Sequence, residues 1–541
     1  MEIKQLRQNI ERLFTDRMTF IMLLQEIAEN FYPERADFTV KKRHGNEFAS
    51  QLMTSYPILI RRDLGDQLGQ MLRPTAQQWF KMIPEGWEEG DTMDNDSQRW
   101  LEAATKQMRR AMYFRDAKFT KAMKEEDQDY AAFGQGVTSC RTNRDVTNLL
   151  YRNWHIRDVV WQENEEGDIG LIARRWKPTY RDLESLFPGK VDTKVTDRAK
   201  THPFEKLDCL HIIVEEDLYD QDSKGLPYFS IYYDVTHSAL LEAVPVWNKE
   251  YNISRWQTVS GSQYAFSPAT IAALPDARML QSMAYTLLEA GEKATNPPIV
   301  ATQDVVRSDV AIYAGGITWV DEEYDEKLGE ALRPLTQDFR GLPFGDQMAQ
   351  DARGMLAQAF YLNKLTLPER APEMTAYEVG QRIQEYVRAA LPIFEPMEHE
   401  RNGGTCDLTF DILMRVGVFG SPRDMPAGLQ NRRIGFTFES PLHDVIEQQK
   451  GQKFLEAKEM LVQALDIDQS SLYMIDAKAG LRDALNGIGV PPTWINNKDD
   501  VEQMTKDQDE ETQQQAMLEN MKTSSEAAKN LSQAGQDLEV V

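Results

Sequence analysis

The sequence predicts a mixed α+β protein in which helices predominate. Apolar residues recur at three- and four-residue steps over roughly the first 130 residues and again beyond residue 275, which is typical of amphipathic helices. Between these regions, about 100 residues that begin near Val146 carry short β-branched and aromatic runs divided by turn residues, as antiparallel strands do. The two patterns together predict helical segments on either side of a β-rich part.

The composition indicates a globular protein without a membrane partner. The 541 residues are enough for two to four structural units with cores of their own. No stretch approaches the ~20 uncharged apolar residues that cross a bilayer. The first residues lack the apolar core of a signal peptide, so we do not expect secretion. Cys140, Cys209 and Cys406 are far apart and show no metal spacing, which predicts buried free thiols in a reducing compartment.

The net charge is acidic and limits how the chain can meet DNA. With 61 basic and 86 acidic residues, the formal charge is −25. A conventional DNA-binding domain carries a basic patch, because neutralising phosphates supplies most of its affinity. The charge therefore argues against tight gripping of a duplex. It is compatible with a passage through which DNA slides, and equally with a protein that never meets DNA.

The first long helix is expected over residues 97–124. Its stripe of apolar residues repeats at helical spacing, and the oxygens of Asp94, Asp96 and Ser97 stand before it as candidates for the N-cap. The stripe consists of Trp100, Leu101, Ala104, Met108, Ala111 and Met112.

Four runs in the next region are expected to be strands of an antiparallel sheet. They are Val159–Trp161, Ile169–Trp176, Cys209–Val214 and Phe229–Tyr233. The segments Glu166–Asp168 and Ser223–Gly225 separate two pairs of them and contain the glycine that tight turns favour.

Two helices are expected to bracket a mixed segment. The first covers residues 275–294, with Pro275 at a helix start and Asn296-Pro297-Pro298 at its end. The second covers residues 345–362. Residues 299–338 between them hold strand-like pieces, Ile299–Ala301 and Ile317–Val320, and a Gly315-Gly316 turn.

The remainder is predicted to be helical at both ends with strands between. A loop with two prolines, residues 363–373, precedes a capping box of Thr375 and Glu378 that opens a helix to about residue 399. Residues 406–440 have the pattern of strands. From residue 442 the chain is expected to be helical, with Phe454, Ala457, Leu461 and Leu465 in register. A break at residues 489–492 leads to a tail, 501–541, whose nine acidic and three basic residues predict mobility.

Catalytic signatures are absent from the sequence. It has no G-x-x-x-x-G-K-[ST] loop and no H-E-x-x-H or paired C-x-x-C motif. Residues 220–225 begin like a calcium loop, but Lys224 and Ile231 stand where oxygen ligands belong, so we interpret them as a turn. The acidic run 321–326 could hold Mg²⁺ in a nuclease, yet consecutive side chains diverge and favour a solvated acidic face. No cofactor or metal site is predicted.

Three motifs resemble one family of proteins. The run Ser267-Pro268-Ala269 followed by residues 274–281, Leu-Pro-Asp-Ala-Arg-Met-Leu-Gln, is similar to the entry into the first stem helix of the head-to-tail connectors (portal proteins) of podovirus-type bacteriophages. Residues 368–379 resemble the family's E-R-x-T-A-x-E-V/I segment, with two extra residues between arginine and threonine. Residues 485–495 resemble its C-terminal G-V-P-P-x-x-I.

The resemblance implies a portal fold over nearly the whole chain. The wing would comprise residues 1–270, the first stem helix 271–296, the clip 297–339, the second stem helix 340–361 and the tunnel loop 362–374. Residues 375–445 would form a long helix and a return to the wing, and residues 446–541 a helical crown with a mobile polar tail.

The same resemblance implies a structural role in the virion. Such subunits form a ring, usually of twelve, at one capsid vertex, and assemble in the host cytoplasm. Their partners are capsid and scaffolding proteins, the large terminase subunit, tail adaptor and tail proteins, and the double-stranded DNA in the channel. Another virion protein, such as a tail adaptor or internal core protein, is the alternative, and a metal-dependent nucleic-acid enzyme is a weaker one.

Two sets of residues are candidates for function within this interpretation. Lys364 and Arg370 are the cations of the tunnel-loop segment and are candidates for transient phosphate contact, or else for pairing with nearby carboxylates. The clip segment has more apolar residues than a thin insertion can bury alone, which predicts contacts between subunits. These residues are Ile299, Val300, Ile312, Ile317, Trp319 and Val320. Methionines at positions 279, 283, 348 and 355 suit either core packing or adaptable subunit contacts.

Overall fold

The computed structural model describes most of the chain in several stretches. These are residues 2–40, 52–75, 77–85, 95–301, 332–334, 341–362, 395–421, 424–430, 432–438, 454–461, 480–481 and 484–485, with the single positions 306, 319, 321, 451 and 525. The chain divides into two compact units. One consists of Met1–Glu88 and Trp100–Ser440, and the other of Glu89–Arg99 and Pro441–Val541.

Helices and strands both contribute to the described residues, as the sequence predicts. The helices are α1 (Ile3–Asp16), α2 (Met18–Phe31), α3 (Tyr56–Leu72), α4 (Asn95–Met112), α5 (Phe119–Phe133), α6 (Tyr180–Leu186), α7 (Thr193–Thr201), α8 (Pro268–Thr295), α9 (Leu342–Ala359) and α10 (Gly404–Val416). A π-helical turn, Glu398–Gly403, leads directly into α10.

The strands are short and antiparallel. They are β1 (Phe80–Pro84), β2 (Gln135–Thr142), β3 (Leu149–Asn153), β4 (Val159–Glu163), β5 (Ile169–Trp176), β6 (Cys209–Glu215), β7 (Tyr228–Asp234), β8 (Ala239–Val246), β9 (Tyr251–Arg255), β10 (Gln257–Thr258), β11 (Ala265–Phe266), β12 (Ile299–Ala301), β13 (Leu332–Pro334) and β14 (Ile434–Phe438).

The N-terminal helices confirm the predicted helical start, with one correction. The single helix expected over residues 97–124 is two helices, α4 and α5. The chain breaks between them, where Lys118 takes a left-handed conformation with φ of 57°. Asp96 and Ser97 lie inside α4 and do not cap it. The apolar stripe continues across both helices, so periodicity alone does not reveal the break.

The β-rich region is confirmed, although it begins at Gln135 and not near Val146. Strands β4 to β8 form one five-stranded sheet in sequence order, and β2 pairs with β3 and β9 in a three-stranded sheet. The four predicted strands agree with β4 to β7 to within two residues at either end. The predicted turns join β4 to β5 and β6 to β7, and their glycines, Gly167 and Gly225, both have positive φ.

The five-stranded sheet is buried on both faces. On one face, Leu6, Ile10 and Phe14 of α1 pack against the sheet residues of one parity, such as Val160 and Ile212. On the other face, residues of the opposite parity pack against the three-stranded sheet; this second core contains Val137, Val159, Trp161, Ile172, Ile213, Tyr251 and Ile253. The sheets therefore form a sandwich with α1 as its outer layer.

The strand-like pattern over residues 406–440 is wrong for its first part. Residues 404–416 are the helix α10, and among the described residues of this range only Ile434–Phe438 form a strand, which pairs with β1. The core-facing side of α10 consists of Thr405, Cys406, Thr409 and Leu413. The two threonines donate to carbonyls four residues earlier, which satisfies their hydroxyls inside the core.

The last half of α5 is buried on all sides and carries acidic or amide side chains at four consecutive positions, 126 to 129; three of them are Glu126, Asp127 and Gln128. Cations from distant segments meet them: Arg401 lies 3.4 Å from Glu126 and also pairs with Asp127. Room for the three side chains comes from glycines, because a Cβ at position 65, 69 or 136 would lie within 2.7 Å of Gln128, Asp127 or Glu126 respectively. This node fixes α5 at the centre of the larger unit.

The second unit is helical where it is described. Residues 454–461 form a helix, and Phe454, Ala457 and Leu461 are its less exposed positions, as predicted; Leu465 lies outside the described residues. The ring of Phe454 packs close to Gly480, where a Cβ would approach it to 3.0 Å.

Candidate subunit interface on the helix pair

Helix α8 begins on the end of α5 and earlier than the sequence analysis placed it. Ser267 caps the helix by accepting from the Thr270 amide, and Pro268 occupies its first position. The Ser267 and Thr270 hydroxyls donate to the α5 carbonyls of residues 131 and 132, both at 2.8 Å. Pro275, the expected first residue, lies inside the helix. The expectation failed because Pro275, about two turns after the true start, also fits the first position of a helix.

Helices α8 and α9 pack against each other in antiparallel fashion, and we call them the helix pair. Near the end of α8, Leu287 packs on Gly345 at the start of α9; a Cβ at that glycine would lie 3.0 Å from the leucine. In the segment of sequence that connects the two helices, β12 pairs antiparallel with β13, so that Ile299 lies opposite Pro334. The predicted order of helix, strand-containing insert and returning helix is therefore confirmed.

Arg278 and Gln281 of α8 anchor the helix pair to the rest of the larger unit. The Gln281 side chain accepts from the Met53 and Thr54 amides at 2.7 and 3.0 Å and donates to the Thr54 carbonyl at 3.0 Å. Arg278 forms an ion pair with Glu26 of α2. These contacts fix the direction in which α8 leaves the body.

The α9 side of the pair is anchored in the same way. Tyr56 donates through its hydroxyl to the Arg353 carbonyl at 3.1 Å, and the rings of Phe31 and Phe360 lie 5.4 Å apart. Phe360 is fully buried. Both helices are thus attached firmly at one end.

Beyond Leu280, the helix pair exposes large apolar side chains. Phe344 is 67 % exposed, and Tyr285 and Leu288 are each 56 % exposed. Met348 and Met355 are also exposed and lie four and eleven residues after Phe344, which places all three on one side of α9. Apolar surface of this size on neighbouring helices is typical of a contact with another protein.

The four methionines of the helix pair are therefore not all packed in the core. Met279, Met348 and Met355 are exposed, and Met283 is half-buried. Of the two interpretations open from the sequence, the exposure favours the adaptable surface contact. The carboxylates on the two helices outnumber the cations by five to three: Asp276, Glu289, Glu292, Asp346 and Asp351 against Arg278, Lys293 and Arg353.

The structure describes only part of the sequence-predicted site. Ile299 and Val300, adjacent residues of β12, are exposed on both faces of the two-stranded ribbon that β12 forms with β13. Trp319 is 69 % exposed. Ile312, Ile317 and Val320, the tunnel-loop cations Lys364 and Arg370, and the Thr375–Glu378 capping box lie outside the described residues.

Sequence analysis missed Tyr285, Leu288 and Phe344 as candidates. Their spacing suits a helix that buries them, and the same spacing serves a helix that presents them to a partner. The charge balance of the flanking positions did not distinguish the two cases. Only the packing of α8 against α9 shows which side is left uncovered.

The cysteines and acidic segments considered in the sequence analysis form no reactive site among the described residues. Cys140, Cys209 and Cys406 are buried free thiols, as predicted, and burial raises the pKa of Cys140 to about 11. Residues 220–225 form a turn in which Asp222 accepts from the Lys224 amide at 3.0 Å. Among the described residues no group of three potential metal ligands converges, and no helix there has the length and apolar character to cross a membrane. Only Asp321 of the acidic run is described.

Comparison with known proteins gives one consistent result. The family model for the bacteriophage head to tail connecting protein matches residues 3–495. The chain is 21% identical over 559 residues to the portal protein of Salmonella phage epsilon15, covering 98% of this chain and 96% of that protein. It is 22% identical over 456 residues to the probable portal protein of Bordetella phage BPP-1, covering 82% and 79%.

The match spans both compact units and includes all three motifs that carried the resemblance. Members of the family are structural proteins and not enzymes, in agreement with the lack of catalytic signatures in the sequence. The chain belongs to the family of bacteriophage head-to-tail connecting proteins and is a component of the head–tail junction.

Proposed function

We propose that the chain is one subunit of a portal ring, with twelve subunits as the expected number, that surrounds the channel through which DNA enters and leaves the capsid. The observation that carries the proposal is the exposed apolar surface of the helix pair, with Phe344, Tyr285 and Leu288 at its centre. An isolated soluble protein seldom leaves such a surface uncovered. A second copy in a ring covers it, and every subunit then makes the same contact.

The length of the helices suits the wall of a channel. The 16 residues from Leu280 to the end of α8 span about 24 Å, and the 18 residues of α9 span about 27 Å. Side-by-side helix pairs of this length, repeated around an axis, make a continuous wall several turns deep. In this proposal, α8 and α9 are the stem helices, and the β12–β13 ribbon belongs to the clip.

The charge suits a duplex that moves through the ring. Twelve copies with a net charge of −25 each sum to about −300 charges, so the assembly as a whole repels phosphates. The proposed tunnel loop carries Lys364 and Arg370, which would provide two bands of weak, salt-screened positive charge. We infer brief phosphate contacts that guide DNA without holding it.

The remaining parts follow from the same proposal. The clip, residues 297–339, would meet the large terminase subunit during packaging and tail proteins afterwards, and its exposed Ile299, Val300 and Trp319 would also contact neighbouring subunits. The wing, residues 1–270, would meet capsid and scaffolding proteins. Residues 446–541 would form the crown within the head.

Electron micrographs of the purified full chain test the proposal. The expected result is closed rings with an axial hole, with a subunit number that class averages count. Solid discs, fibres or monodisperse single subunits at micromolar concentration would instead indicate a different virion component, such as a tail adaptor or internal core protein.

A further inference from the structure

Three arginines from the two sheets of the sandwich lie close together. Arg141 belongs to β2, Arg152 to β3 and Arg174 to β5. In the β2–β3 register Arg141 lies opposite Leu150, two residues before Arg152, so both arginines extend from the same face of the three-stranded sheet. That face packs against the sheet that carries Arg174. We call these three residues the arginine cluster.

An indole ring holds two members of the arginine cluster. The guanidinium carbons of Arg174 and Arg152 lie 3.8 and 4.1 Å from the centroid of the Trp154 ring. The Trp154 indole nitrogen donates to the Ser139 hydroxyl at 2.8 Å, which fixes the ring. Stacking on an aromatic face orients a guanidinium but leaves its charge and most of its N–H donors available.

No carboxylate neutralises the cluster within the described part of the chain. Arg141 and Arg152 form no ion pair there, and the hydrogen bond of the Arg174 guanidinium goes to a neutral group, the Tyr251 hydroxyl, at 2.8 Å. Elsewhere in the larger unit, buried arginines such as Arg73 and Arg401 pair directly with carboxylates. Among the described residues, Arg17 and Arg61 are also buried without an ion pair, but each stands alone, whereas the arginine cluster brings three guanidinium groups together.

The carboxyl groups near the cluster, those of Glu250 and Glu125, form no ion pair with it. Glu250 lies 4.0 Å from His211, and burial raises the pKa of its carboxyl, although Arg141 and Arg174 act in the opposite direction. Glu125 pairs with Lys121. Burial, with the nearby arginines, holds the pKa of His211 well below its usual range, so this imidazole is neutral. Its two nitrogens are occupied by the Tyr251 and Ser230 hydroxyls.

We propose that the arginine cluster is a docking site for an acidic segment of a partner protein, whose Asp or Glu carboxylates complete the ion pairs that this chain lacks. Arginine presents paired N–H donors that match a carboxylate in bidentate geometry. Arg152 is exposed, Arg141 is half-buried, and Arg174 is only 5 % exposed. This proposal does not depend on the ring.

The burial of Arg174 favours a protein over a nucleic acid. The phosphates of a duplex lie on the outside of a wide convex cylinder, which fits poorly to a guanidinium that is only 5 % exposed. A carboxylate on a flexible side chain is much narrower, and its neighbours in the segment can meet the more exposed Arg141 and Arg152. The site therefore favours two or three carboxylates on one narrow strand of chain over a row of phosphates.

The test is binding of a fluorescent oligo-glutamate peptide to the purified full chain at about 0.1 M salt, where distant charges are largely screened. We expect the double substitution Arg141→Ser with Arg152→Ser to weaken binding at least tenfold. The charge-retaining Arg141→Lys with Arg152→Lys should stay within a few-fold of the unsubstituted chain. Arg181→Ser with Lys200→Ser, which removes two exposed cations from α6 and α7, is the matched control and should change binding less than twofold.

Several outcomes would overturn the proposal. They are a peptide that does not bind, a control pair that weakens binding as much as the cluster pair, and a DNA duplex that displaces the peptide at equal charge concentration. Inorganic phosphate that saturates the site at the same concentration as the peptide would reduce it to a simple anion site. Circular dichroism and thermal unfolding verify folding; if the serine pair is unfolded, the comparison of Arg141→Ser alone with Arg141→Lys decides.

Discussion

Arg401 donates to the Asp127 carboxylate at 2.5 Å across 274 positions of sequence, and both side chains are buried. Arg401 belongs to the π-helical turn that precedes α10, and Asp127 to the central helix α5. Burial lowers the pKa of Arg401, but the charges of Asp127 and Glu126 outweigh that effect and raise it, so the guanidinium is always charged. This pair joins the C-terminal part of the larger unit to its centre.

Removing this cation is expected to destabilise the subunit strongly. Arg401→Met keeps much of the side-chain volume but leaves the buried carboxylate of Glu126 without its ion pair and that of Asp127 with Arg73 alone. Breaking a buried ion pair in this way costs about 3–5 kcal/mol, because the remaining carboxylate is buried with neither a cation nor water to stabilise its charge. Denaturant unfolding measures the loss. Arg198→Met, which breaks an exposed pair with Glu205, is the control and should change the stability far less, because solvent screens that pair.

The junction between α5 and α8 gives a second prediction. Gly134 has a φ of +70°, and a Cβ there would overlap the Phe266 carbonyl, so Gly134→Ala should displace the start of α8 and destabilise the chain by several kcal/mol. Gly291→Ala is the matched control, because that position of α8 is open and an alanine there favours the helix by about 0.5–1 kcal/mol. Thermal unfolding distinguishes them. Equal effects of the two substitutions would contradict the packing described for Gly134.

A third prediction concerns acid stability. Burial by itself would raise the pKa of Asp37, but the hydrogen bond from His155 and the charge of Arg157, 2.7 and 2.9 Å away, lower it to about 2. A depressed carboxyl pKa contributes stability above about pH 4, and the contribution is lost as the pH falls towards 2.

The contribution is about 1 kcal/mol, since the carboxylate is partly exposed and screened. Asp37→Asn should therefore be less stable than the unsubstituted chain at pH 6–7, and the difference should vanish near pH 2. Urea titrations at several pH values measure this difference. A gap that does not change with pH would show that the ionised carboxylate contributes nothing.

The strands were predictable because short β-branched and aromatic runs between turn residues suit a sheet that is buried on both faces. In α10 the spacing of apolar residues was misleading: Cys406, Leu408, Phe410 and Ile412 are two residues apart, as in a strand. The side that faces the core is Thr405, Cys406, Thr409 and Leu413. A hydrophobicity pattern does not include threonines that satisfy their hydroxyls on the helix backbone.

The buried cluster of Glu126, Asp127 and Arg401 could not be predicted from the sequence either. No pattern in the sequence predicts that Glu126 and Asp127 are buried, since their partners come from segments far away in the chain. The helix–insert–helix order of the helix pair was predictable from periodicity and proline positions. Which of its apolar residues remain uncovered depends on tertiary packing and could not be predicted.

The exposed surface of the helix pair should control assembly. Phe344→Ser with Met348→Ser removes apolar surface from one side of α9, and we expect the ring to dissociate into smaller species while circular dichroism is unchanged. Phe204→Ser is the control, because Phe204 is 75 % exposed at the end of α7 and away from the pair. Analytical ultracentrifugation follows the assembly. If Phe204→Ser alone abolished the rings, the interface would lie near Phe204 and not on the helix pair.

The proposed tunnel-loop cations should affect DNA retention and not assembly. Lys364→Ala with Arg370→Ala removes two positive charges per subunit, and we expect intact rings with lower retention or completion of the packaged genome, most visibly at low salt. Looser rings or altered folding would instead indicate structural ion pairs. Normal packaging and normal ring stability together would leave the loop as a passive connector.

The most direct test of the central claim uses the chain's own unreactive thiols. Cys140, Cys209 and Cys406 are buried, and burial raises the pKa of each, so a cysteine introduced on the surface is labelled selectively. The measurement is the maleimide labelling rate of Met348→Cys in assembled and in dissociated protein, with Phe204→Cys as the reference. If a second copy covers the helix pair, assembly slows labelling at position 348 at least tenfold and leaves position 204 unchanged. Equal rates at position 348 in the two states would contradict it.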